Sequence, residues 1–242
     1  MRDLWEGYHG NSSIQTTQAR PLLKEVSELD RMPDRIVDLG CGDGTVTELL
    51  GKIAPEAHIV GVDASSSQIA AARALDGGIT WIENDIMKFL ETARDYDLVF
   101  SNAALHWIAD QRLLYEQIRR ALVSGGHVLA CQGAAGTYAP LHEIACELAG
   151  KREFPALYLS VDEMEEVLSG AGFADFSVIC TDARMPYDPD VVRCFAAASL
   201  PFYRTDSMSD DEWDGLVQEF LAACEWCRPD IEPRRLYVSA RK

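Results

Sequence analysis

Between residues 33 and 131 short apolar runs alternate with stretches of helical periodicity, and this alternation restricts the fold more than any other property of the chain. The runs fall at 35–39, 58–63, 79–83, 96–101 and 126–131, and helical patterns at 45–53, 66–75 and 111–122 separate several of them. Runs this short, apolar almost throughout, suit strands covered on both faces, and a helix between successive strands is the crossover that parallel pairing requires. The expected fold is therefore α/β, a doubly wound and mainly parallel sheet.

The flanks are less regular. Leu22, Leu23, Val26 and Leu29 share one helical face, which predicts a helix over about 18–30 that Pro33 ends. Beyond the alternating region, helices are expected at 141–150, 161–171, 190–199 and 209–224, with strands at 176–180 and 235–240. No low-complexity linker divides the chain. It divides into an N-terminal helical segment at 1–32, a core at 33–184, a helical insertion at 185–232 and a final strand at 233–242.

Charge narrows the partners. With 22 Lys and Arg against 39 Asp and Glu, the net charge is −17. Such a surface repels phosphate backbones and anionic headgroups, so neither nucleic acid nor membrane is an expected partner. No apolar run reaches the ~20 residues of a membrane helix, and Met1–Glu6 opens without a leader-like apolar stretch. The seven cysteines, at 41, 131, 146, 180, 194, 224 and 227, have no framework spacing and suit reduced thiols in a cytoplasmic protein. Cys224-x-x-Cys227 has no second pair to complete a zinc site, so no metal is expected. Neither monomer nor dimer is favoured.

Between the first strand and its helix lies Asp38-Leu39-Gly40-Cys41-Gly42-Asp43-Gly44. Glycines at spacing two let the backbone turn tightly and bring N–H groups against a ligand. The spacing is not the G-x-G-x-x-G of dinucleotide folds, and the carboxylate of Asp38 stands where a pyrophosphate would be repelled. A ligand bearing an ammonium or a sulfonium is favoured there instead. Asp63 ends the second strand, where a carboxylate can accept both hydroxyls of a ribose. Asp85-Ile86 follows the third strand, an acid for an exocyclic amine beside an apolar residue for a ring face.

In order and spacing, these residues resemble the successive cofactor motifs of class I S-adenosylmethionine (AdoMet)-dependent methyltransferases. The resemblance covers residues 33–131 well and the remainder loosely. It implies a seven-stranded sheet whose last strand is antiparallel, which accounts for the strand at 235–240. It also implies AdoMet as cofactor: Asp38, Gly40, Gly42 and Gly44 around its methionine part, Asp63 and Ala64 at the ribose, Asp85 and Ile86 at the adenine, and Ser101 and Asn102 at the end of the fourth strand.

Ser101-Asn102-Ala103-Ala104-Leu105-His106-Trp107 lacks the Asn/Asp-Pro-Pro-aromatic tetrad of amino-methylating DNA enzymes. It resembles instead the matching loop of small-acid carboxyl methyltransferases of the trans-aconitate and juvenile hormone acid kind. Tyr8 to Gln15 is similar to the N-terminal stretch of the latter. This resemblance implies a carboxylic acid as acceptor, a methyl ester as product, and Gln15 and Trp107 as donors to the substrate carboxylate. A carboxylate is already ionised at neutral pH and needs alignment rather than a base. His106 keeps a second reading open, as general base for a hydroxyl, amine or carbon acceptor. A protein that senses AdoMet without turnover is a third, and a nicotinamide-dependent oxidoreductase ranks last. In such families the insertion at 185–232 acts as a lid that chooses the substrate. Phe195, Leu200, Phe202, Tyr203 and Trp213 suit an apolar pocket in it, and Arg193 or Arg204 a second carboxylate, although solvated surface charges are the commoner role. Residues 1–18 are expected to close over the cofactor.

Overall fold

The computed structural model describes residues 12–75, 77–150, 158–205 and 207–242, and of residues 12–15 the backbone alone. Seven strands, β1 (Arg35–Leu39), β2 (His58–Asp63), β3 (Thr80–Glu83), β4 (Tyr96–Asn102), β5 (Leu122–Gly133), β6 (Asp175–Asp182) and β7 (Arg234–Arg241), form one sheet. Their order is β3-β2-β1-β4-β5-β7-β6. The first five pair in parallel, whereas β7 runs antiparallel to both neighbours and is inserted between β5 and β6. Chain order reverses between β1 and β4, so the connections that follow these two strands lead to helices on opposite faces of the sheet and leave a crevice at the C-terminal ends of the strands.

The alternation of side chains divides the core. Val37, Leu39, Val60, Val62, Val99 and Val128 face one side, beneath α4 (Ile86–Thr92), α5 (Gln111–Ala121) and α7 (Val161–Gly170). Ile36, Ile59, Leu98, Phe100 and Leu129 face the other, beneath α1 (Ser12–Ser27) and α2 (Thr45–Ile53). Both faces of β1 and β4 are covered, which is why Ile36 and Val37 in β1, and Leu98, Val99 and Phe100 in β4, are apolar on successive positions. β6, at the edge, alternates and leaves Ile179 exposed.

α3 (Ser66–Ala72) begins at the cap residue Ser65, and α4 at Asp85, each side chain accepting from a first-turn N–H. The expected helix over 18–30 starts earlier, at Ser12, and ends at Ser27. A third cluster gathers α6 (Ala139–Ala149), α8 (Pro189–Ser199), a 3-10 turn at Leu200–Tyr203 and α9 (Asp210–Cys227). α6 thus packs with the helices of the 185–232 insertion, through Leu141 and Ala145 against Val192, Phe195 and Phe220. Among the described residues no helix is long and apolar enough to cross a membrane, and no cluster of His, Cys, Asp and Glu is arranged to hold a metal ion.

Candidate active site

A cavity of about 610 Å³ lies over the C-terminal ends of the parallel strands, between the sheet and the helices of the third cluster. Its shape begins with the turn after β1. Gly40 and Cys41 both donate their N–H to the carbonyl of Val62, which folds the turn over the end of β2. Gly40 has φ +75°, and a Cβ there would stand 2.1 Å from the Cβ of Ala104. Only glycine lets the turns after β1 and β4 meet this closely. Ala103, at φ 60°, takes the strained conformation that brings Ala104 to that contact, held by its N–H to Cys131 O at 2.7 Å.

One end of the cavity is acidic: Asp38, Asp63 and Asp85 all line it. Asp38 is only 2% exposed, and the Thr47 hydroxyl donates to its Oδ2 at 2.7 Å. Burial, reinforced by the charge of Asp63, pushes its carboxyl up to about 7 despite that hydrogen bond. Asp63 accepts from Gly42 N and from Ser65 N, each at 2.9 Å, so it ties the glycine turn to the start of α3. Asp85 gives one oxygen to Lys88 N, which leaves the other for a ligand. The Cys41 thiol, buried beside these acids, is driven far from ionising and offers no nucleophile.

A nucleoside carrying a cationic amino-acid tail fits this end. Asp38 gains from a positive neighbour, since burial alone disfavours its charge. Ala64, Ile86 and Asn102 complete the wall next to the acids. Gln68 also lines the cavity, and its buried Nε2 has no hydrogen-bond partner among the described residues, as expected of a donor waiting for a ligand acceptor.

The other end is aromatic. Trp107 stacks on Phe202 with centroids 4.1 Å apart and planes at 13°. His106 packs between Trp107 and Tyr158, at 4.8 and 5.5 Å. Its Nδ1 accepts from Gly133 N at 3.4 Å, which leaves the proton of the neutral ring on Nε2. Burial, with the positive charge of Arg235 nearby, lowers its pKa to about 3. Phe195, Tyr138 and Gln18 complete this end.

Several residues singled out in the sequence stand elsewhere. Gly44 does not reach the wall; its φ of +82° turns the chain into α2, and a Cβ would meet the Trp81 ring at 2.6 Å. Ser101 is also off the wall, its hydroxyl donating to Leu39 O at 2.7 Å to lock β4 against the first turn. Leu200 and Tyr203 are buried in the third cluster, against which Trp213 packs. Arg193 and Arg204 pair with Asp190 and Asp210 at the surface, the commoner of their two expected roles. The side chain of Gln15 and all of residues 1–11 lie outside the described residues. Gln18, three positions on and hence on the same helical face, is the glutamine seen on the wall. It was missed, as were Gln68 and Arg235, which come from elements read for their apolar positions, and Tyr158, which lies in a connection before α7 that carries no pattern.

The same architecture recurs in known proteins. YcgJ from Bacillus subtilis superposes with a TM-score of 0.63 at 16% identity, over 94% of this chain and 98% of that one. A phosphoethanolamine N-methyltransferase from Haemonchus contortus, solved with S-adenosylhomocysteine, gives 0.59 at 20%, over 92% and 52%. Residues 36–126 match a family model described as a methyltransferase domain. The fold is that of a class I methyltransferase. Among curated relatives, the trans-aconitate 2-methyltransferase of Acidovorax ebreus is 34% identical over 169 residues, 69% of this chain and 64% of the relative. That of Azoarcus is 36% identical over 136 residues, 56% and 52% respectively. The chain therefore spans less than two thirds of these relatives. Asp38, Gly40, Gly42, Asp63, Asp85 and Ile86 fall within the matched segment 36–126 and line the cavity.

Proposed function

We propose that the chain is an AdoMet-dependent methyltransferase that esterifies a small carboxylic acid and releases S-adenosylhomocysteine. The observation that carries this reading is the state of His106. It is the imidazole at the acceptor end; its Nδ1 accepts from Gly133 N, so Nε2 carries the ring proton, and burial further lowers the basicity of the ring. A nucleophile that arrives already ionised suits this site, and a carboxylate does. AdoMet, when bound, supplies an electrophilic methyl group on a sulfonium.

The residues divide the remaining work. Asp38 and the backbone of Gly40 and Gly42 would face the methionine part, Asp63 and Ala64 the ribose, and Asp85, Ile86 and Gln68 the adenine side. Trp107, stacked on Phe202, and His106 Nε2–H offer neutral donors to a carboxylate without adding a competing charge. The helices of residues 185–232 would act as the lid, with Phe195 and Phe202 excluding water from the reacting atoms. The names of the trans-aconitate 2-methyltransferases agree with an acid acceptor. A net charge of −17 agrees with a small-molecule rather than a nucleic-acid partner, and the seven free cysteines with a cytoplasmic setting.

Incubation with methyl-labelled AdoMet and a panel of organic acids tests this. Label should enter a product that mild alkali hydrolyses, as an ester does. Label in an alkali-stable ether or amine would revive the base-assisted reading, and binding without homocysteine release would make the protein a sensor.

A further inference from the structure

We infer that Arg235 is a specificity-determining residue that holds a second, non-reacting carboxylate of the acceptor, so that the site selects di- or tricarboxylic acids. The inference rests on the carboxyl-methylation reading and deepens it.

Arg235 is the one Lys or Arg among the described residues that lines the cavity. Its place follows from strand alternation. In β7, Leu236, Val238 and Ala240 point into the core beneath α5 and α7, which sends Arg235 and Tyr237 to the opposite face, the side of α1. There Arg235 sits opposite Gly133 of β5, whose missing side chain leaves the space that the Tyr158 ring fills; a Cβ on Gly133 would stand 2.5 Å from that ring. Its guanidinium lies 5.5 Å from the centre of the Tyr138 ring, and its charge is felt by His106 and Tyr158.

The partners of Arg235 decide the argument, because none is charged. With the Gln18 amide turned so that its oxygen faces the guanidinium, that oxygen accepts from Nη2 and Nε at 2.8 and 3.2 Å. Nη1 donates to Thr137 Oγ1 and to Arg234 O, both at 3.4 Å. No carboxylate pairs with it among the described residues. Its chain neighbour Arg234 makes the contrast, since it points to the other face and pairs with Asp182 at 2.8 Å. Arg184, Arg193 and Arg204 are likewise matched to acids. In a chain with 17 more acids than bases, a partly buried guanidinium held by neutral groups inside a cavity is a charge kept for a ligand.

Geometry also suggests which ligand. A guanidinium has five N–H donors, and the acceptors named above take four at most, so at least one Nη2 N–H remains for an anion. Gln18 and Tyr138 hold the fork in place, so little side-chain entropy is lost on binding. Asp38 at the far end suits the cationic part of the cofactor, and Arg235 at this end suits an anion beside Trp107 and His106. A monocarboxylic acid would place its one charge at the methyl group and leave Arg235 unmatched.

Calorimetry on the protein saturated with S-adenosylhomocysteine tests the proposal without requiring turnover. The probes are short di- and tricarboxylic acids, each paired with its mono-amide. The native chain should bind the di-acids about 10- to 100-fold more tightly than the mono-amides, the range for one charge-assisted contact. Arg235→Gln should abolish that preference, and Arg235→Lys should restore part of it. Affinity for S-adenosylhomocysteine should stay within a factor of about three, since the remote contact leaves the cofactor end alone. Equal binding of di-acid and mono-amide to the native chain overturns the proposal even if every variant misfolds. A variant that loses the homocysteine product instead assigns Arg235 to the cofactor's own carboxylate and overturns it equally. If the Arg235-dependent preference appears but no ester forms, the proposal stands and the esterification reading falls.

Discussion

Replacing Asp38 by asparagine separates the energetic roles of the acid under the glycine turn. The carboxyl is 2% exposed and its pKa moves from 3.8 to about 7, chiefly through burial. At ~1.4 kcal/mol per tenfold change in proton affinity, keeping this group ionised in the folded chain costs about 4 kcal/mol at pH 8. The sign follows from the raised value. Its contribution to stability is full below pH 3.8, where both states are protonated, and is lost as pH rises to about 7. Asparagine keeps an oxygen for the Thr47 hydroxyl and never ionises. The stability of Asp38→Asn relative to the native chain should therefore grow by about 2 kcal/mol between pH 5.5 and 8. Urea unfolding followed by circular dichroism, without cofactor, measures this. Meanwhile affinity for AdoMet should fall about 10- to 100-fold in the variant, the loss of one charge-assisted contact. A gap between the two proteins that stays the same from pH 5.5 to 8 would refute the reasoning, because it would mean that folding leaves the proton affinity of Asp38 unchanged.

The remaining predictions concern other parts of the cavity. Gly40→Ala must fit a Cβ 2.1 Å from that of Ala104 at φ +75°, which should cost about 3 kcal/mol or more and lower the melting temperature while abolishing cofactor binding. His106→Gln should leave ester formation within about tenfold and add no new limb to the pH–rate profile between pH 6 and 8, since a base normally contributes more than that; a loss of 1,000-fold or so would restore the imidazole as base. Ser101→Ala removes a buried hydroxyl from Leu39 O and should lower stability by about 1–2 kcal/mol without changing the KM for AdoMet, because Ser101 lies behind the wall.

Much of this architecture is legible in the sequence where local pattern and tertiary context agree. The runs at 35–39 and 58–63 became strands with those bounds because both faces are covered, so consecutive apolar residues such as Ile36-Val37 and Ile59-Val60 are both buried. α4 was not foreseen: seven residues are too few to show a helical period, and its cap, Asp85, was valued only as a ligand for adenine. β5 begins four residues earlier than its apolar pattern, at Leu122, which pairs with Tyr96 across a shift in register that sequence cannot display. The cofactor end was the readable half of the site, since its acids follow successive strands within one matched segment. The acceptor end draws on α1, α8 and β7, far apart in the chain, and only the assembled sheet brings Gln18 and Arg235 together. Arg193 and Arg204 of the insertion pair with surface acids, the commoner of the two roles open to them in the sequence, whereas strand alternation places the cavity cation at the start of the final strand.

The insertion of β7 between β5 and β6 also governs the sequence of events as the protein is made. Until the segment from Arg234 emerges from the ribosome, β5 presents an unsatisfied backbone edge and β6 has no neighbour to hold it. The acids of the donor end all precede Trp107 in the chain, whereas the cation of the acceptor end arrives only with the last strand, so the cavity is finished last at the end that chooses the acceptor.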